Sequence, residues 1–295
     1  MRLVVASGKG GTGKTLVATS LALMARERAQ SLQAPTALLD ADVEAPNVAL
    51  FLRAELEEAV AVERLVPRVD QALCTHCGRC AEVCQFHAIA SLPLKTLVFD
   101  ALCHGCGSCA LECPAGAISE EPQPMGQVRF GQAEGLRYGE GELQVGEAMA
   151  TPVIRALKHE ARSRGWDSDA LTIIDSPPGT ACPVIEALRG ADVALLVTEP
   201  TPFGLHDLRL AVQVARDVLG LPVAVAINRD DGQDGAVDAY CEAEHLPVLL
   251  RLPLAREIAS SYSNGEPLVT ALPQYRATFA VALDALLALA TEARP

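Results

Sequence analysis

Nowhere in this 295-residue chain is there a run of lysine and arginine dense enough to track a phosphate backbone. Acidic residues outnumber basic ones by 37 to 24, a formal net charge of −13, which disfavours general nucleic-acid binding. There is also no stretch of about 18 uncharged apolar residues, so no transmembrane segment is expected. The N-terminus, MRLVVASGKG, lacks a long apolar core and a small-residue cleavage site, so no secretory signal is read there and a cytoplasmic location is expected. The apolar stretch from Tyr275 to Ala290 has helical spacing but no basic face, which suits a helix packed on a core better than one lying on a membrane. Hydrophobic residues, by contrast, make up half of the chain, enough for a sizeable core.

The order of apolar segments predicts an α/β fold. Residues 2–6 (RLVVA) read as a buried strand, a glycine-rich turn follows at 8–13, and residues 15–30 have helical spacing. Residues 36–40 (TALLD) read as a second strand, giving a β–turn–α–β start that favours a parallel sheet. After about residue 63 the rhythm breaks into a cysteine-rich block, 64–122, and then a glycine-rich stretch, 126–146, with little periodicity. It resumes with a helix near 152–164 and strands near 171–175, 192–198, 222–227 and 247–250, with helices near 204–219 and 234–245 between them. The expected organisation is therefore one discontinuous α/β domain, 1–63 and 123–295, interrupted by a small insert, 64–122.

Residues 8–15, GKGGTGKT, fit G-x-x-x-x-G-K-[ST] between a predicted strand and a predicted helix. Gly8, Gly10, Gly11, Thr12 and Gly13 would let backbone N–H groups curl around phosphate oxygens, and the helix N-terminus adds partial positive charge. Lys14 can reach the β- and γ-phosphates of ATP, and the Thr15 hydroxyl can ligate Mg²⁺. The run KGGTGKT, with its second lysine, Lys9, resembles the deviant P-loop of the MinD/ParA/Mrp family, which includes the nitrogenase iron protein. That resemblance implies a P-loop NTPase fold with a mainly parallel sheet flanked by helices. It also implies an ATP-dependent homodimer in which Lys9 stabilises charge on the partner's transferring phosphoryl group, as an arginine finger does. By the same resemblance, Asp42 orients the attacking water, Asp40 and Asp175 belong to the Mg²⁺ shell, Gly179 in the switch segment DSPPG senses the γ-phosphate, and Asn228 contacts adenine. The loop TEPTPFGLHDL, 198–208, looks like the family's loop after the next strand.

Eight of the ten cysteines lie between residues 74 and 113, clustering that points to metal rather than disulfides. Cys74, Cys77, Cys80 and Cys84, and again Cys103, Cys106, Cys109 and Cys113, follow C-x₂-C-x₂-C-x₃-C with a repeat of 29 residues. This is the bacterial two-cluster ferredoxin signature, in which the fourth cysteine of each run ligates the other cluster. The resemblance implies one 4Fe–4S cluster on Cys74, Cys77, Cys80 and Cys113 and another on Cys84, Cys103, Cys106 and Cys109. Two structural zinc sites fit poorly, because zinc prefers two cysteine pairs separated by a longer loop. One departure is that proline follows Cys113 but Gln85 follows Cys84. His76, His87 and His104 are expected at the surface, and Cys241 reads as structural. Cys182 lies seven residues after Asp175, a spacing that resembles the cluster cysteine of the iron protein. It reads first as a small buried cysteine at a helix start, with an intersubunit metal as the alternative.

The joint expectation is a MgATP-hydrolysing iron–sulfur protein whose nucleotide-dependent dimer closure is coupled to low-potential electron transfer with a redox partner. An Mrp-type carrier delivering clusters to apo-proteins is the second reading. A MinD/ParA-like positioning ATPase with a redox-sensing ferredoxin domain is the third.

Overall fold

The computed structural model describes residues 1–32, 35–166, 171–232 and 235–292. Among these the strands are β1 (Arg2–Ala6), β2 (Thr36–Asp40), β3 (Glu55–Val69), β4 (Ile89–Leu92), β5 (Lys95–Val98), β6 (Ile118–Ala133), β7 (Leu136–Leu143), β8 (Leu171–Asp175), β9 (Val193–Thr198), β10 (Val223–Asp230) and β11 (Val248–Pro253). Nine of them form one sheet in the order β11-β10-β9-β1-β8-β2-β7-β6-β3, parallel from β11 through to β7. Parallel strands covered on both faces must be apolar throughout, which is why β1, β2, β8 and β9 appear in the sequence as short unbroken hydrophobic runs. Alternate residues of these strands (Leu3, Val5, Leu38, Ile173, Val193, Leu195 and Val197) pack on one face against helices Lys14–Leu32 and Arg276–Glu292. The second of these buries Phe279, Ala282, Leu283, Leu286 and Ala290, so the C-terminal apolar stretch packs on the core. No helix among the described residues is long and apolar enough to cross a membrane.

The chain divides into two compact units: Met1–Val60, Val128–Glu142 and Met149–Pro295 form the first, and Ala61–Gln127 with Leu143–Ala148 the second. The largest departure from expectation is the glycine-rich stretch 126–146, which is the end of β6 and all of β7, joined by the tight turn Glu134–Gly135 with φ of 50° and 74°. Two left-handed residues in succession are what a two-residue hairpin turn requires. The glycines misled because they answer to neighbours rather than to turns. A Cβ on Gly131 would lie 1.9 Å from the Glu55 carbonyl oxygen, and one on Gly139 would lie 2.8 Å from the Phe130 ring. Gly131→Ala should therefore cost about 2–4 kcal/mol, read as a lowered unfolding midpoint in thermal or urea melts. Strand β3 was also missed; it is the sheet's edge, where charged residues and Pro67 are tolerated. The helix expected over 204–219 is α-helical at Pro202–Val212 and continues as a π-helical turn, Gln213–Val218.

The second unit is built twice over. Its halves share the backbone conformation at equivalent positions 29 residues apart. His76 and Gly105 have φ of 55° and 64°, Gly78 and Gly107 have 81° and 73°, and His87 and Gly116 have 52° and 60°. Histidine is among the side chains that tolerate this region best, so one half uses it where the other uses glycine. Gly78 and Gly107 precede the short helices Arg79–Val83 and Ser108–Leu111. The halves interlock through equivalent bonds: Asp70 N donates to Ala117 O and Phe99 N donates to Ala88 O, each at 2.8 Å. β4 and β5 pair antiparallel between these contacts. A bidentate pair from buried Arg64 to Glu147, at 2.8 and 3.0 Å, ties the returning segment 143–148 into this unit.

Candidate functional site

In the first unit the functional side chains gather at the C-terminal ends of the parallel strands. β1 lies between β8 and β9, while the chain after β1 crosses to β2 beyond β8. This is a topological switch point, the crevice where open α/β sheets bind ligands. The loop after β1 turns through Gly11 (φ 78°) and Gly13 (φ 92°) into the helix beginning at Lys14. It is pinned from both sides. A Cβ on Gly8 would fall 2.3 Å from the Asp207 carbonyl oxygen. Asn228, buried in β10, donates from Nδ2 to Thr12 O at 2.8 Å. Gly179, with φ of 96°, donates its N–H to Ser7 O at 3.0 Å, which sets the DSPPG segment against the loop's entrance.

These elements enclose a cavity of about 340 Å³ lined by Gly10, Gly11, Gly13, Lys14, Thr15, Asp42, Asn47, Asn228 and, on its apolar side, Pro253, Leu254, Ile258 and Tyr262. A polar loop at one end and an apolar wall at the other suit a nucleotide: phosphates on the glycine-rich backbone, base against the wall. The apolar wall, from the end of β11 and helix Arg256–Ser263, was not anticipated from sequence; its residues carry no motif.

Buried carboxylates lie close to the Lys14 and Thr15 side chains. The Thr15 hydroxyl donates to Asp175 Oδ2 at 2.7 Å, while Asp175 Oδ1 is buried with no hydrogen-bond partner. Burial raises Asp175 to about 7, opposed by the Lys14 ammonium and the Thr15 hydroxyl. Burial likewise raises Asp42, again with Lys14 opposing. Asp40 sits beside Asp175 in the β2–β8 register. It is raised well above the carboxylate range, first by burial and then by the Asp175 charge. Neighbouring buried carboxylates that resist ionisation, one with an orphaned oxygen, fit a divalent cation such as Mg²⁺ held by Thr15 and Asp175. The Asp40 oxygens accept N–H bonds from Asp42 (3.1 Å), Asn47 (2.9 Å) and Val48 (3.0 Å). Asp40 thereby shapes the loop that presents Asp42. The Lys9 ammonium pairs with the Glu199 carboxylate at 3.0 Å.

In the second unit the eight clustered cysteines line two separate cavities. One is ringed by Cys74, Cys77, Cys80 and Cys113, with Pro114 and His76; the other by Cys84, Cys103, Cys106 and Cys109, with Phe86 and His104. Each cavity takes its fourth cysteine from the opposite run. Backbone amides donate to sulfurs of both cavities, among them Ala88 N to Cys84 Sγ (3.2 Å), Ala117 N to Cys113 Sγ (3.3 Å) and Gly105 N to Cys103 Sγ (3.4 Å). Such N–H···S bonds are what thiolates bound to an iron–sulfur cluster need from their surroundings. Among the described residues no three His, Cys, Asp or Glu side chains converge on a single-ion site. Four cysteine sulfurs around each cavity are the donor set that a 4Fe–4S cluster takes. His87 and His104 are exposed; His76 is half-buried, its Nδ1 3.7 Å from Cys74 Sγ. The buried reading of Cys182 is overturned: it begins helix Cys182–Leu188, as the sequence suggested, but is exposed. Cys241 is buried.

A glycine-rich loop that leaves the central strand of a mainly parallel sheet and opens a helix defines a P-loop nucleotide-binding protein. Residues 3–268 match the CobQ/CobB/MinD/ParA nucleotide binding domain, and the chain belongs to that family. An uncharacterised protein of Methanocaldococcus jannaschii is 37% identical over 212 residues, 71% of this chain and 72% of that one. The iron–sulfur cluster carrier protein of Pyrococcus abyssi is 24% identical over 282 residues, 91% of this chain and 79% of that one. Among solved structures, the septum site-determining protein MinD of Pyrococcus horikoshii, complexed with Mg-ADP, shares the fold. Its TM-score is 0.58 at 18% identity, covering 99% of this chain and 94% of that one.

Proposed function

We propose that this protein hydrolyses MgATP and couples nucleotide-dependent pairing of two copies to electron transfer through two 4Fe–4S clusters held in its second unit. The observation that carries the reading is that each of the two cavities is lined by four cysteines, three from one run and one from the other. Clusters bound there supply one-electron chemistry at low potential. The chain's own residues have separate tasks in this reading. Gly10, Gly11, Gly13 and Lys14 hold the phosphates, Thr15 and Asp175 hold Mg²⁺, Asp42 orients the attacking water, and Asn228 fixes the loop from behind. Gly179 reads the γ-phosphate through the loop that its N–H anchors on Ser7. Lys9 supplies charge to the partner's nucleotide.

An anaerobic redox titration with electron paramagnetic resonance, run with and without MgATP, tests the coupling. A shift in cluster potential or line shape on nucleotide binding is expected, and by reciprocity the redox state then changes ATP affinity. Identical titrations in both conditions would separate the two activities. A second reading, an ATP-gated carrier that delivers clusters to apo-proteins, is favoured by the names of the distant relatives in Aquifex aeolicus and Pyrococcus abyssi. Against it stands the completeness of each four-cysteine ring, because a fully ligated cluster is held tightly. Transfer of iron to an apo-acceptor, and no ATP effect on potential, would establish the carrier reading instead.

A further inference from the structure

The Lys9 ammonium is held by the carboxylate of Glu199, just beyond the end of β9, at 3.0 Å. The other oxygen of that carboxylate accepts from Arg229 Nη1 at 2.5 Å. The Glu199 side chain is only 10% exposed, whereas Lys9 is 32% and Arg229 55% exposed. One nearly buried carboxylate thus joins a cation from the loop after β1 to a cation from the end of β10. The Lys9 backbone is fixed separately, its carbonyl accepting from the Ser7 hydroxyl at 2.6 Å. Arg229 adopts a left-handed backbone, φ 56°, with its N–H bonded to Asn228 Oδ1 at 2.9 Å. Each backbone is thus held by a hydrogen bond of its own, and the lysine side chain is partly open to solvent.

We propose that Glu199 is a positioning residue that holds Lys9 in the unpaired chain and releases it to the nucleotide when two copies close. This rests on the reading that Lys9 acts across a pair of chains. A lysine neutralised by a carboxylate cannot at the same time neutralise a phosphoryl group, so the two anions compete for it. Arg229 makes the exchange feasible. Removing one partner from a nearly buried ion pair strands the other charge, which is the expensive outcome. With Arg229 bound to its second oxygen, Glu199 keeps a counter-ion after Lys9 leaves. Without Arg229, Lys9 would be the carboxylate's sole cation and its departure would be resisted.

This gives two variants with opposite expected effects. Glu199→Gln keeps the shape and removes the competing charge. Arg229→Asn suits the left-handed backbone and removes the spare cation. In the full-length protein purified without oxygen, self-association is followed by light scattering during titration with Mg²⁺ and a non-hydrolysable ATP analogue. Glu199→Gln should lower the half-saturating analogue concentration about fivefold and Arg229→Asn should raise it by about as much, the size of a partly exposed pair. In the nucleotide-free protein, acylation of Lys9 followed by peptide mass spectrometry should be about threefold faster in Glu199→Gln than in the parent, for the same reason. Equal acylation in parent and variant, or a shift of both variants in the same direction, would overturn the proposal. Lys9→Ala tests the underlying reading by itself. If that variant associates and turns over like the parent, the trans role of Lys9 fails, and the acylation comparison still decides whether Glu199 holds it.

Discussion

Lys14→Ala should reduce ATP turnover by about a thousandfold or more, the scale on which a preorganised charge at a phosphoryl-transfer site acts. Lys14 is only 7% exposed and is the cation that opposes burial at both Asp175 and Asp42. Its loss removes the charge that meets the phosphates. It also leaves two carboxylates harder to ionise, and therefore poorer at holding Mg²⁺ and orienting water. Phosphate release and calorimetric binding of an ATP analogue would both register the change. An activity loss with unchanged Mg²⁺ dependence would mean that the carboxylates do not rely on Lys14. The iron content of the variant should equal that of the parent, since no cysteine cavity includes this residue.

The second large effect concerns the cysteines and depends on which cavity each one lines. Cys84→Ser and Cys103→Ser should lose the same spectroscopic signal, although the two residues belong to different sequence runs. Cys113→Ser and Cys74→Ser should lose the other. The reason is the membership of the cavities: Cys84 rings a space with Cys103, Cys106 and Cys109, and Cys113 rings one with Cys74, Cys77 and Cys80. Each variant should retain about four of the roughly eight irons expected for two clusters. Its thermal stability should also fall, because a small unit with little apolar core depends on its metal for folding free energy. If Cys84→Ser instead abolished the signal shared by Cys74, Cys77 and Cys80, the crossed arrangement would be wrong.

Much of the nucleotide-binding half could be read in the sequence because its chemistry forces local patterns. Parallel strands buried on both faces leave unbroken apolar runs, so RLVVA, TALLD and LTIID mark β1, β2 and β8. A phosphate loop must combine glycines with lysine at fixed offsets, so residues 8–15 show themselves. The half that failed is where side chains answer to distant partners. β3 and β6 carry glutamates, prolines and glycines, whose reasons lie across the sheet: Gly131 has no side chain because Glu55 O occupies its place. The apolar wall of the nucleotide cavity was silent for the same reason, since Leu254 and Tyr262 acquire meaning only when β11 ends beside the phosphate loop. Glu199 lay within the recognised 198–208 loop, yet nothing in the string TEPTP indicates that its carboxylate would meet two cations.

The paired bonds Asp70–Ala117 and Phe99–Ala88 bear on how such a unit could have arisen. Each half has one ring of cysteines a member short, which the opposite half supplies along with one partner of each backbone bond. A single 29-residue copy could therefore close only against a second copy of itself. Carrying both halves in one polypeptide replaces an encounter that depends on concentration with one that is always present. The inserted unit is in this sense a dimer made permanent, carried within a family expected to assemble as a dimer only while nucleotide is bound.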